Sequence, residues 1–158
     1  MKSRRKKVAL SSFSAFLLLM LVFVLFFWAN FHTVMIRGNS MEPTFYSGER
    51  LLVSDAYWLV GGIKKNDIVV MDIPEKHEVI IKRVYGLPGD EIDLNLLPKT
   101  LSILDGSYVV PEGKIYVIGD NMPASEDSRV LGALDMDHII GKVIKVEFGL
   151  PANADSGD

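Results

Sequence analysis

A serine sits in the stretch GNSMEPT, residues 38–44, shortly after a long apolar run. Flanked by Gly38, Asn39 and Pro43, Ser40 suits two roles: the hydroxyl of an ordinary turn, or a nucleophile presented on a tight loop. A serine attacks well only when a neighbouring base takes its proton. The stretch holds no histidine, so a catalytic Ser40 needs a base from elsewhere in the chain. The three histidines, His32, His77 and His138, fall in unrelated contexts, with no acidic or cysteine partner at ligand spacing. That pattern supports neither a Ser-His-Asp triad nor a metal site.

Lysine can replace histidine if its amine is neutral. A free lysine has a pKa of ~10.4, and burial among apolar groups lowers it by up to roughly 3–5 units because desolvation penalises the charge. Most lysines here lie in clusters such as Lys64-Lys65 or turns such as Pro98-Lys99. Lys82 differs, following EVII at the end of an apolar run and preceding Arg83-Val84. Strand alternation leaves two orientations open. Either neighbouring strands cover the Lys82 amine, or Ile81 turns inward and Lys82 faces solvent, and the rarity of buried lysines favours the second.

The elements that must hold these residues are legible in outline. A chain of 158 residues is a prior for one domain, and a net charge of −3 gives no reason to expect a nucleic-acid partner. Lys2, Arg4, Arg5, Lys6 and Lys7 precede a segment, Val8 to Phe31, without a charged residue, in which Ala15 to Ala29 is apolar throughout. About 20 apolar residues cross a ~30 Å hydrocarbon core, so residues 8–31 are expected to be a single transmembrane anchor in the lipid bilayer. The basic cluster places residues 1–7 in the cytoplasm and the body outside the cytoplasmic membrane. The bulky FWANFHTV lacks the small-x-small site of a cleavable signal peptide. Cysteine is absent, so the body must rely on its own core rather than on disulfides.

Residues 34–148 read as one extracytoplasmic, mainly β domain: a small antiparallel sheet, closed on itself in a barrel-like way or folded as a sandwich. RLLVSDAYWLV, NDIVVMDI, HEVIIKRVYGL, DEIDLN, LSILDGSYVV, KIYVIGD and HIIGKVIKVEF are runs rich in Val, Ile and Tyr, bounded by turn formers. Asp105-Gly106 predicts a two-residue hairpin. No convincing helical periodicity occurs outside the anchor, and the small, polar tail at 149–158 is expected to be disordered.

At this point the motifs resemble those of the type I signal peptidases, membrane-anchored Ser/Lys proteases that remove signal peptides. The likeness is carried by the anchor, GNSMEPTF (38–45), IIKRVYGLPGDEI (80–92) and GDNMPASEDSR (119–129), in the family's order, with NDIVVM (66–71) a weaker match. The resemblance implies that Ser40 is the nucleophile and Lys82 the general base. It implies that Met41 lines the site and that Ser125 hydrogen-bonds the Lys82 amine. Asp127 and Arg129 become a bracing ion pair, and Gly119, Asp120 and Asn121 shape the turn presenting them. Two positions depart from the common pattern: Met122 stands where arginine is usual, and Gly38 stands where some members carry a hydroxyl. The oxyanion would then rest on backbone N–H groups, chiefly that of Ser40.

The implied activity is endoproteolysis of signal-peptide-bearing preproteins by a monomer, with no cofactor and no metal. Ile36, Met41, Ile80 and Ile81 would form shallow pockets for alanine-sized side chains, in keeping with small-x-small cleavage sites. Ser40 follows the apolar segment by about ten residues, so it lies within ~35 Å of the outer surface even if fully extended. The alternative is a non-catalytic tethered β-domain, an adaptor or a pseudoenzyme of the same family. It would keep anchor and sheet without needing Ser40 or Lys82.

Overall fold

A computed structural model of the chain describes residues 12–98 and 107–144. The basic residues 2–7, the Asp105-Gly106 hairpin and the tail at 149–158 lie outside the described residues. Helix α1, Ser12–Asn30, has no buried residue and is apolar on every side. Its 19 residues span roughly 28 Å, close to the thickness of a hydrocarbon core. Asn30 closes it: Asn30 Nδ2 donates to the Phe26 carbonyl at 2.7 Å, and Ser54 Oγ donates to the Asn30 carbonyl at 2.7 Å. Carbonyls that a helix end leaves without partners are thereby satisfied.

The chain passes from α1 directly into strand β1, Phe31–Met35, which pairs with β2, Arg50–Ser54, in the register Phe31↔Ser54 to Met35↔Arg50. The apolar segment therefore ends one residue earlier than its composition suggests, and FHTVM belongs to the sheet. RLLVSDAYWLV, expected as one strand, divides after β2. Ser54 Oγ accepts from Ala56 N at 3.2 Å, offering the backbone a local bond that competes with the ladder, and Tyr57–Val60 then forms a single helical turn, α2. DEIDLN likewise gives only the two-residue β5, Glu91–Ile92, before a tight turn over Leu94–Leu96.

The remaining strands are β3 (Ile68–Ile73), β4 (Glu78–Gly86), β6 (Tyr108–Val109), β7 (Lys114–Ile118), β8 (Leu134–Asp135) and β9 (Ile139–Ile144), with a second one-turn helix, α3, over Ser128–Leu131. The fold is mainly antiparallel β, as the alternation predicts. Seven strands form one sheet in the order β1-β2-β9-β3-β4-β7-β8, and β5 pairs with β6 separately. Neither one-turn helix is long enough to give a helical period in the sequence.

Both faces of the central strands are covered. One cluster gathers Ile36, Met41, Phe45, Leu51, Val53, Val70, Ile81 and Val143, and another gathers Val69, Met71, Val84, Ile115 and Val117. Adjacent residues of β3 divide between the two clusters, as the two-residue period of a strand requires. Strand β9 pairs so closely with β2 that a Cβ on Gly141 would lie 2.7 Å from Val53 Cγ1 and 2.9 Å from the Ser54 carbonyl oxygen.

Gly141→Ala is expected to destabilise the fold by about 1–3 kcal/mol through overpacking. Gly62, whose Cβ would meet nothing within 4 Å, serves as the control, with Gly62→Ala changing stability by less than ~0.5 kcal/mol. Denaturant midpoints of the detergent-solubilised variants measure both. Equal midpoints would contradict the close pairing of β2 and β9.

Candidate active site

After β1 the backbone stays pinned to the sheet through Ile36 N to the Glu49 carbonyl at 2.9 Å and Gly48 N to the Ile36 carbonyl at 3.0 Å. Gly38 then takes φ +88°, a left-handed conformation that side chains resist. Met41 and Phe45 are buried in the core at 1% and 7% exposure, and Phe45 N bonds the Met41 carbonyl at 3.0 Å. Ser40 is thus held half-buried at the crest of a turn whose two ends are fixed.

The side chain facing it is Lys82, whose Nζ lies 2.8 Å from Ser40 Oγ. Lys82 is 4% exposed and Ile81 8% exposed. The local pattern favours one of them turning outward, but β4 lies between β3 and β7 with apolar clusters on both faces, so neither does. Burial lowers the Lys82 pKa below the ordinary lysine value, against the opposing attraction of Asp127, Glu78 and Glu126.

Asp127 is fully buried, and its charge is occupied. Arg129 clamps it through Nε and Nη2, each at 2.8 Å, while Gly119 N at 3.0 Å and Arg129 N at 3.2 Å complete its bonds. Burial would raise this carboxyl, but the bonds from Arg129 and Gly119 outweigh it and hold the group below its usual range. Asp127 also caps the first turn of α3, and the buried Ser128 hydroxyl accepts from Val117 N at 2.9 Å. The segment carrying Asp127 is therefore tied to β7 on both sides of the pair.

The 119–121 turn grips the backbone at Ser40. Asn121 N donates to the Ser40 carbonyl at 2.9 Å, and Asn121 Nδ2 donates to the Asn39 carbonyl at 3.1 Å. A Cβ on Gly119 would fall 2.7 Å from the Ser40 carbonyl oxygen and 2.1 Å from Ser125 Oγ, so glycine alone fits there. Asp120 accepts from Arg83 Nε at 2.7 Å, from Arg83 Nη2 at 2.6 Å and from the Thr44 hydroxyl. The Ser125 hydroxyl is buried and makes no hydrogen bond of good geometry, its one polar influence being on the Asp127 carboxyl, which it helps to lower; the Lys82 amine, its partner in the resemblance, is directed to Ser40. Met122 contributes its carbonyl rather than its side chain, accepting from Arg129 Nη2 at 2.7 Å.

Ile36, Met41, Ile80 and Ile81 all line one cavity of about 690 Å³ that opens at Ser40 and Lys82, with Val70 added to its wall. The sequence reading had no place for Thr44, Arg83 or Ser128. The only local signal for Arg83 is its adjacency to Lys82, which directs it to the opposite face of β4.

Comparison with known proteins places the chain among the peptidases. The family model described as signal peptidase, peptidase S26, matches residues 7–105 and 94–147. The chain belongs to that family. It is similar to signal peptidase IB of Staphylococcus aureus strain COL, 33% identical over 140 residues covering 68% of this chain and 73% of that relative. It is similar also to signal peptidase I of Bacillus licheniformis, 34% identical over 168 residues covering 89% of each. A crystal structure of a signal peptidase I from Enterococcus faecalis V583 shares 24% identity, covers 53% of this chain and 97% of that one, and superposes with a TM-score of 0.41. Family membership rests on the sequence matches.

The buried amine has a consequence for stability. The folded-state pKa of Lys82 is lowered, so between that value and the unfolded value of 10.5 the unfolded chain binds more protons, and stability rises with pH across that window. Lys82→Met is expected to be at least as stable as the wild type at pH 7, with its advantage shrinking as pH approaches 10.5. Thermal unfolding at several pH values measures this. A variant less stable than wild type at every pH would mean that the amine is stabilising as an ion.

Proposed function

We propose that the chain is a signal peptidase whose nucleophile is Ser40 and whose general base is Lys82. The observation that carries this reading is the 2.8 Å contact between Ser40 Oγ and an amine that is 4% exposed. Neutral Lys82 accepts the hydroxyl proton as Oγ attacks the scissile carbonyl carbon. The resulting ammonium gives that proton to the departing nitrogen as the C–N bond breaks, leaving an ester on Ser40. A water deprotonated by the same amine then attacks the ester, and the serine is regenerated. The Ser40 N–H, aimed by the grip of Asn121 on the turn, is the chief donor to the oxyanion.

Asp127 and Arg129 brace the wall behind the base, while Gly119, Asp120 and Asn121 fix the turn that holds Ser40. Ser125 packs against Gly119 at the same wall. The cavity lined by Ile36, Met41, Ile80 and Ile81 takes the acyl side of a preprotein cleavage site and admits small side chains. Helix α1 serves as an uncleaved membrane anchor within residues 8–31, with residues 1–7 in the cytoplasm and the β domain as a monomer on the outer face. Substrate and enzyme then meet at the same surface, because a signal peptide's cleavage site emerges just beyond its own apolar stretch.

Ser40→Ala is expected to lower kcat/KM for a preprotein on the order of 10⁴-fold or more while unfolding like wild type. Lys82→Arg should be as inactive as Lys82→Ala, since arginine keeps the charge but cannot shed its proton. The wild-type rate should climb tenfold per pH unit on its acid limb and level off at an apparent pKa below 10.5, the direction burial gives Lys82. Full activity in Ser40→Ala, or substantial activity in Lys82→Arg, would remove the dyad.

The orientation is tested separately. Protease added outside intact spheroplasts should digest the β domain and leave a short protected fragment, in a mature chain that still begins at or near Met1. A protected domain, or a chain beginning after Ala29, would refute the anchor as drawn.

A further inference from the structure

The dyad also opens onto a second cavity, of about 190 Å³. It shares Arg37, Ser40, Glu78, Ile80 and Lys82 with the larger one, where the two meet at the dyad, but none of Ile36, Met41, Val70 or Ile81. Ile73, Ala124 and Leu131 supply its apolar lining, and Gly38, with no side chain and open space where a Cβ would stand, leaves it accessible beside Ser40. Charged groups complete it. Lys76, from the turn between β3 and β4, forms an ion pair with Glu126, fifty positions away on the 119–129 segment, and both line the cavity. Their side chains are 35% and 56% exposed, so a bound peptide can meet their charges.

Cleavage at Ser40 Oγ divides a peptide into two halves that must leave the nucleophile in opposite directions. The acyl half stays behind as the ester. The other half departs from a nitrogen that receives its proton from Lys82, so it must lie in space that Lys82 lines. On the dyad reading above, the larger apolar cavity takes the acyl half. We propose that the smaller cavity is the leaving-side subsite, seating the first residues of the mature chain against Ile73, Ala124 and Leu131 and reading their charge through the Lys76–Glu126 pair. Arg37 and Glu78 also line the cavity, one charge of each sign, so while the Lys76–Glu126 pair is intact the four charges offset one another and the subsite is indifferent to the sign of the incoming residue.

The experiment uses the full chain in detergent and internally quenched peptides that share one acyl half and carry Ala, Lys or Glu in the first two positions after the cleavage point. Wild type should cleave the Lys and Glu peptides within about twofold of each other. Lys76→Glu should favour the Lys peptide by about two- to fivefold, the range that an exposed charge pair supplies. Glu126→Lys should favour the Glu peptide by a similar factor, and both preferences should shrink in 1 M salt. Combining the two exchanges should restore the wild-type ratio. The ratio between peptides is the readout because Glu126 also acts on Lys82, an effect common to all substrates. Lys-to-Glu ratios that stay fixed in all variants, or that shift as much when the charge sits three residues before the cleavage point, would overturn the subsite. Those outcomes leave the dyad standing, whereas cleavage by Ser40→Ala would overturn the dyad whatever the ratios do.

Discussion

A lysine within 2.8 Å of a serine can take its proton only while the amine carries no charge, and much of this domain bears on that constraint. Burial lowers the Lys82 pKa, yet a fully buried carboxylate, Asp127, acts on the same amine in the opposite direction. An unpaired carboxylate there would draw a proton onto the lysine. Four hydrogen bonds, two of them from the Arg129 guanidinium, occupy that charge, although Asp127 remains the largest upward influence on the amine. On the proposed dyad, the Arg129 clamp serves to moderate the pull of Asp127 on the amine rather than to add stability. Buried ion pairs seldom repay their desolvation in stability alone.

The second constraint is distance, and one strand sets it. Strand β4 sends Lys82 toward Ser40 and, one residue later on the opposite face, sends Arg83 to Asp120. Asp120 also accepts from Thr44, four residues past Ser40, and its neighbour Asn121 holds the Ser40 and Asn39 carbonyls. Lys82 and Ser40 are therefore referenced to the same strand, one directly and one through the 119–121 turn. Gly119 makes this possible, since any Cβ would push the turn off the Ser40 carbonyl. A change on the Arg83 side of β4 would reach the reaction through geometry, although Arg83 itself touches neither reacting atom.

Much of this was legible in the residues, and what was not has a physical explanation. Alternating Val and Ile runs marked the strands that form the centre of the sheet, and the charge-free segment marked α1. Short elements escaped because they have no period: FHTVM straddles the expected boundary between the apolar segment and the β domain, and AYWLV looked like the end of a strand. The Ser54 hydroxyl bond to Ala56 N, which favours a turn there, becomes visible only when the ladder is known to stop. The orientation of Lys82 was undecidable locally because alternation predicts one covered face, whereas β4 is covered on both. Thr44, Arg83 and Asp120 lie 37 and 76 positions apart, and only the fold brings them together. Motif resemblance supplied the names of the site residues, but it could not supply the use made of Met122, whose contribution is a carbonyl that any residue possesses.

The junction between α1 and the sheet gives the anchor a fixed reach. No linker intervenes: β1 begins at the residue after Asn30, the Asn30 carbonyl accepts from Ser54 Oγ, and the Phe26 ring meets Trp58 edge-on at 5.9 Å. Five residues of strand rise about 17 Å and so fix the distance from the helix end to Met35, five residues before Ser40. A flexible tether would let the nucleophile sample a range of heights above a bilayer, whereas a paired strand holds one height. On the proposed topology, that height acts as a ruler. A peptide whose own apolar helix ends at the membrane surface can present only bonds a set number of residues beyond it, and a loosely tethered domain with the same dyad would lack this restriction. On that topology, pairing β1 into the sheet joins the position of α1 to the choice of bond.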